Sequence, residues 1–119
     1  MGKYMDICIQ PVPKKNVTAY RKTTKIVGQL LVKHGAISSS DYIADDKNAT
    51  SLSFPKKIKV KPSEVLIIAM AEFKSASHRK SVFNLMMKDP KMAKLNIEPS
   101  WMDNDNAIFG GFKLLVAVK

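Results

Sequence analysis

Residues 64–87 read EVLIIAMAEFKSASHRKSVFNLMM, a run that changes period once along its length. From Val65 to Phe73 the reading is a hydrophobic strand, and from Ser75 or Ser77, either of which can cap, it becomes a short helix. Along the strand Val65, Ile67, Ala69, Ala71 and Phe73 project to one face, while Leu66, Ile68 and Met70 project to the other, because successive side chains alternate. Both faces are therefore apolar. A strand in a two-layer domain buries one face and wets the other, so a second apolar face calls for a second cover. One layer of helices is in sight, which makes a partner subunit the simplest cover. Glu72, on the Leu66 and Met70 face, is the residue that breaks the pattern.

Working outward, Tyr4 to Gln10 alternates with Met5, Ile7 and Ile9 on one side and Asp6, Cys8 and Gln10 on the other; this is strand one, which Pro11-Val12-Pro13 ends. Asn16 can cap a helix running to His34, with a buried stripe of Val17, Tyr20, Val27, Leu30, Leu31 and His34. Gly35 stops it, and Gly28 inside it suits close packing of helix on sheet. Ile37 to Ala44 reads as an edge strand and Asp45 to Ser53 as a polar loop. Between Phe54-Pro55 and Pro62, Lys57, Lys59 and Lys61 alternate with Ile58 and Val60, the pattern of a charged edge segment. Asp89-Pro90 breaks the second helix, Met92 to Leu95 adds a turn, and Glu98 to Asn106, with Trp101, is irregular. Ile108 to Val118 closes the chain as strand four, where Gly110-Gly111 permits a bulge or a close backbone approach. Strand four repeats the anomaly, with Phe112, Leu114, Val116 and Val118 on one face and Phe109, Leu115 and Ala117 on the other. Strands three and four are accordingly expected at the centre. The order strand, helix, strand, strand, helix, strand is the split βαβ pattern of ferredoxin-like folds, an α+β domain with an antiparallel four-stranded sheet.

Length and composition agree with one domain over residues 1–119. The longest apolar run, Val65 to Ala71, is far short of the roughly 20 residues of a spanning helix, and the N-terminus carries no apolar signal core. A cytoplasmic protein is the expectation. Cys8 is the single cysteine, so no internal disulfide forms, and in strand context it reads as a small buried hydrophobe. The formal charge of +10 favours anionic partners, yet it comes from eighteen lysines and only two arginines, Arg21 and Arg79. Base-edge and phosphate-fork recognition favours the planar guanidinium, and no aromatics interleave with the basic residues. Nucleic-acid binding is expected to be weak and sequence-blind at most.

Four residues are candidates for a ligand site. Glu72 is the candidate general acid or base, provided a dry setting raises its pKa; paired with a lysine at the strand's exit it is only structural. His34 closes a helix, where an imidazolium also complements the dipole. His78 and Arg79 open the second helix, whose free N–H groups suit an anion. With Glu72 they are placed in one neighbourhood, a pocket between strand three and the helices. Asp45, Asp46 and Asn48 do not reproduce a calcium loop, and no His and Cys spacing suits zinc or haem. No metal and no cofactor are expected.

The runs YMDICIQPVPKKNVTAYRK (4–22), HGA (34–36), ADD (44–46), SFP (53–55), EVLIIAMAEFKSASHRK (64–80), MKDP (87–90) and GGF (110–112) together resemble the YbaA-like family of uncharacterised bacterial proteins. The resemblance spans nearly the whole chain. It implies the dimeric α/β-barrel superfamily, in which two ferredoxin-like subunits pack sheet against sheet, and it implies no single chemistry, since that superfamily includes monooxygenases, isomerase-like enzymes and chlorite dismutases. The chain departs from the family pattern at Met70, where Trp is usual, at Phe73 for Tyr, at Lys80 for Asp, and in a shorter loop after Asp46. Three functional readings follow: a homodimeric barrel binding, or acting without a cofactor on, a small molecule, with an anion among the candidates; a plain dimeric interaction module; and a basic RNA-binding surface.

Overall fold

The structure, a computed structural model, describes residues 3–45, 53–95 and 106–119. Asp46, Asn48, Glu98 and Trp101, on which readings were placed above, lie outside these residues.

Four strands, β1 (Tyr4–Pro13), β2 (Ser38–Ile43), β3 (Glu64–Phe73) and β4 (Ile108–Lys113), form one sheet in the order β2-β3-β1-β4. Every pairing is antiparallel. The helices are α1 (Val17–Lys33), α2 (Phe54–Ile58), α3 (Ala76–Met87) and α4 (Pro90–Ala93). This is the split βαβ topology, with α1 returning the chain from β1 to β2 and α3 following β3. The expected pairing of β2 with β3 is present, and β2 is an edge. The centre, however, is β1 and β3. β4 is the other edge, because each βαβ unit places its strands two apart with a strand of the other unit between them.

β1 does not stop at Gln10 but runs through both prolines, with Pro11 opposite Leu66 and Pro13 opposite Glu64. The reason lies in which edge each residue faces. Lys14 N–H donates to Ser63 O (2.8 Å) on the β3 side, whereas Lys3 O accepts from Leu114 N–H (2.9 Å) on the β4 side. Even-numbered residues of β1 therefore bond to β3 and odd-numbered ones to β4. β4 pairs with β1 only as far as Ile9, so Pro11 and Pro13 turn their missing N–H toward an edge with no strand partner among the described residues.

The segment 54–58 is a helix and not a charged edge strand. Ser53 holds the N-cap position and Pro55 falls in the first turn, where its ring is tolerated. Ile58 is buried and the chain leaves through Lys59 in a left-handed conformation (φ 60°). β4 ends at Lys113 and not at Val118: beyond the bond from Leu114 to Lys3, β1 offers no further described residue to pair with. Leu115, Val116 and Val118 follow, 94%, 72% and 90% exposed. The second helix opens at Ser75, whose Oγ accepts from His78 N–H (3.0 Å). α4 is capped by Asp89.

The core lies between one sheet face and α1 with α3. Leu30, Leu31, Ala36, Ala71, Phe73, Val82 and Met86 form its larger part, and Val12, Tyr20 and Ile67 a second cluster nearer α1's start. Pairing fixes the faces, since opposed residues share one. The helix side takes Val65, Ile67, Ala69, Ala71 and Phe73 from β3, and from β1 the more polar Tyr4, Asp6, Cys8 and Gln10, followed by the core residue Val12. The open side takes Met5, Ile7 and Ile9, with Ile68 and Met70 of β3 and Ile108 and Phe112 of β4. At one end α2 shields it, burying Leu66 to 5% exposure. Elsewhere no described element covers it, and Phe112 stays 56% exposed.

Candidate functional site

The four residues singled out from the sequence occupy separate environments. His34 stands at the C-cap of α1, and its Nε2 lies 2.8 Å from Asp89 Oδ2. Lys33 Nζ reaches the same oxygen at 2.9 Å, and Lys91 N–H donates to Oδ1 at 2.9 Å. The Lys33 ammonium, that backbone donor and His34 together hold the Asp89 carboxyl well below the usual carboxylate range. His34 is thus oriented by a buried carboxylate that the sequence reading treated only as a helix breaker.

His78 lies beside Gly35. A Cβ on Gly35 (φ +121°) would sit 3.2 Å from His78 Nε2, so glycine both permits the left-handed backbone and makes room for the ring. His78 Nδ1 accepts from Lys74 N–H at 3.1 Å, which makes Nε2 the protonated nitrogen of the neutral ring. The ring meets Phe73 edge-on at 6.2 Å.

Arg79 leaves the same helix start but turns to the sheet. Its Nη2 donates to Asp6 Oδ2 at 3.1 Å, and the guanidinium lies 4.5 Å from the centre of the Phe83 ring. Its Nε is buried without a hydrogen-bond partner. Glu72 is on the other side of the sheet, opposite Met5, and reaches Lys3 Nζ at 3.7 Å. Lys3 is 61% exposed, so that pair contributes at most about 1 kcal/mol. A cleft of about 210 Å³ there is lined by Glu72, Lys3, Met5, Phe112 and Lys113. The sheet separates His34, His78 and Arg79, on the helix side, from Glu72. No group of three His, Cys, Asp or Glu side chains among the described residues is arranged to hold a metal ion.

A different constellation was hidden in the sequence. Tyr20 reads as part of an apolar helical stripe, and it is buried, but its hydroxyl accepts from Gln10 Nε2 at 2.6 Å and donates to Asp41 Oδ2 at 2.9 Å. Thr24 Oγ1 donates to the same oxygen at 3.1 Å, and Cys8 Sγ donates to Gln10 Oε1 at 2.8 Å. Burial, the Asp41 charge and the bond to Asp41 push the Tyr20 phenol up, and burial followed by Asp6 and Asp41 pushes the Cys8 thiol up. The only signal for this chain of bonds was the polar side of β1, where Gln10 shares a face with Cys8 and Asp6. It ends at a cleft of about 560 Å³ between α1 and β2.

A family model described as a protein of unknown function (DUF1428) matches residues 3–104. No curated protein matches the chain. Among solved structures, a dimeric ferredoxin-like protein from an uncultured marine organism aligns over 100% of this chain and 99% of its own, with TM-score 0.53 and 12% identity. A de novo designed protein aligns over 98% of this chain and 100% of its own, with TM-score 0.44 and 9% identity. At such identity the first likeness shows the ferredoxin-like fold alone.

Proposed function

This chain belongs to the DUF1428 family of unknown function, and from that premise we propose that it works as a homodimer of two ferredoxin-like subunits that binds a small anionic molecule. The observation that carries the dimer is the open sheet face, where Met5, Ile7, Ile9, Ile68, Met70, Ile108 and Phe112 present an apolar surface that, among the described residues, α2 covers at one end only. Such a face in water is an interaction surface, and a second copy offers the same apolar chemistry in return. The exposed apolar tail from Leu115 to Val118 leaves β4 beside it and extends the surface available for burial. A structural neighbour described as dimeric supports the same arrangement, as does the YbaA-like resemblance of the spaced motifs. Glu72 then stands at the rim of the interface, in a cleft that the second copy walls, while His34, His78 and Arg79 lie on the helix side, engaged with Asp89, Lys74 and Asp6. The single cysteine supports a cytoplasmic setting, and the +10 charge supports an anionic ligand.

Sedimentation of the purified chain at micromolar concentration tests the dimer. A dimeric mass is expected, and Met70→Lys is expected to weaken association at least a hundredfold, since an unpaired buried charge costs about 3 kcal/mol or more. A monomeric wild-type chain refutes the arrangement. An unchanged dimer constant in Met70→Lys moves the interface to another face.

A further inference from the structure

The cleft between α1 and β2 has donor-rich walls. Arg21, Thr24, Lys25 and Gln29 come from α1 at spacings that share one helical face, and Ser39, Ser40 and Asp41 come from the edge strand. Its volume of about 560 Å³ is that of a small-molecule site. Gly28 brings helix and strand close, since a Cβ there would lie 3.1 Å from Ser39 Oγ. The two arginines differ in their engagement. Arg79 is bound to Asp6 and stacked on Phe83, whereas Arg21 forms no ion pair among the described residues and borders the cleft beside Lys25, which forms none either. Asp41 is held from behind: Tyr20, itself fixed by buried Gln10, and Thr24 both donate to its Oδ2. A carboxylate on an exposed edge strand needs no such support for solubility alone.

We infer that this cleft binds a small phosphorylated polyol, with its phosphate against Arg21 and Lys25 and its hydroxyls donating to Asp41. Two cations one helical turn apart suit a dianion, and a planar guanidinium suits phosphate oxygens. A fixed carboxylate on the same strand face as the Ser39 hydroxyl, with the amide of Gln29 across from it, suits a chain of alcohols, each needing an acceptor and a donor. Asp41 disfavours a bare anion at the same place, so the polyol portion is required for full affinity. The inference gives a site and a ligand class to the small-molecule part of the function proposed above, and it does not depend on the second copy.

The test is a nuclear magnetic resonance titration of amide signals in the full chain with ribose 5-phosphate, ribose and inorganic phosphate. Saturable shifts are expected at residues 21–29 and 39–41, with ribose 5-phosphate binding at least tenfold more tightly than either fragment. Arg21→Gln with Lys25→Gln, both exposed changes, should raise the dissociation constant at least tenfold with the rest of the spectrum unchanged. Asp41→Asn should remove the preference for ribose 5-phosphate over inorganic phosphate. Absence of saturation up to about 10 mM, a dissociation constant worth under about 3 kcal/mol, overturns the inference. So do shifts spread over the lysine surface with equal affinity for inorganic phosphate. A chain that sediments as a dimer but does not bind refutes the site alone, and one that binds as a monomer refutes the dimer alone.

Discussion

Replacing Tyr20 by Phe removes one oxygen and leaves the ring in place, so the change isolates what the hydroxyl does. In the native fold that oxygen accepts from Gln10 Nε2 at 2.6 Å, and Gln10 is only 5% exposed. Without it a buried amide loses its acceptor, which costs about 1–3 kcal/mol. Asp41 also loses a donor, but it is exposed and keeps Thr24, so water makes good most of that loss. The expected destabilisation is about 2 kcal/mol, which is about 1 M in urea midpoint at the slope of a domain this size. The informative variant is the double one. Gln10→Met alone takes away the donor to the phenol oxygen, whose O–H still donates to Asp41, but Gln10→Met with Tyr20→Phe removes both ends of the buried bond, and its stability should return to within about 1 kcal/mol of wild type. Urea unfolding followed by circular dichroism on all four proteins completes the cycle. A Tyr20→Phe effect below about 0.5 kcal/mol, or a double variant equal to the sum of the singles, refutes the buried bond as the reason for this pair.

Other outcomes follow from the same structure. The depressed Asp89 carboxyl stabilises the fold above the unfolded-state value of 3.8, and that contribution is lost as pH falls below it toward the lower folded value; Asp89→Asn should therefore show a flatter decline in stability than wild type between neutral and strongly acid pH, and parallel curves would refute it. Gly35→Ala should destabilise by about 1–3 kcal/mol, since it strains the positive φ and crowds His78 and Val82 at 3.2 and 3.4 Å. A displaced His78 ring signal should accompany the loss, and a neutral melt would contradict both causes. Cys8, its thiol pushed up by burial and then by Asp6 and Asp41, should alkylate more slowly than free cysteine at neutral pH, and equal rates would sink that reading.

The fold was legible where periodicity and punctuation agree. Val65 to Phe73 declared a strand with two apolar faces, Gly35 the end of α1 and Ser75 or Ser77 the start of α3, and each stands within a residue or so in the structure, with Ser75 the cap. Gly28 was legible as a close approach and Gly110-Gly111 as a bulge or a close approach; at Gly111 it is the latter, since a side chain there would collide with the Tyr4 hydroxyl. Misreadings arose where a local signal had a tertiary answer. Two prolines end a strand only if their bare edge needs a partner, and here it does not. Lysines alternating with Ile58 and Val60 resemble an edge strand until Pro55 starts a helix turn and Ile58 finds the covered end of the sheet. The candidate residues were placed in one neighbourhood because β3 leads directly into α3, but closeness in the chain does not say which side of a sheet a residue occupies. Tyr20 and Asp41 are 21 residues apart, and only the packing of α1 on β2 joins them.

The prolines in β1 also bear on how this strand could go wrong. Hydrophobicity alone does not align β1: a shift of one residue would bring Met5, Ile7 and Ile9 under the helices, where apolar side chains are welcome, and expel Asp6, Cys8 and Gln10. Such a shift also rotates the strand, so that odd-numbered residues would have to donate to β3. Pro11 and Pro13 have nothing to donate, and the β3 carbonyls that face β1 at this end, Val65 with Ser63 or Ile67 according to the direction of the slip, would lose their partners. The misaligned strand thus pays about 1 kcal/mol or more for each missing bond, in addition to parting Arg79 from Asp6 and Tyr20 from Gln10. Residues that look like the end of a strand act as its alignment check, excluding a competitor that the apolar pattern by itself would accept.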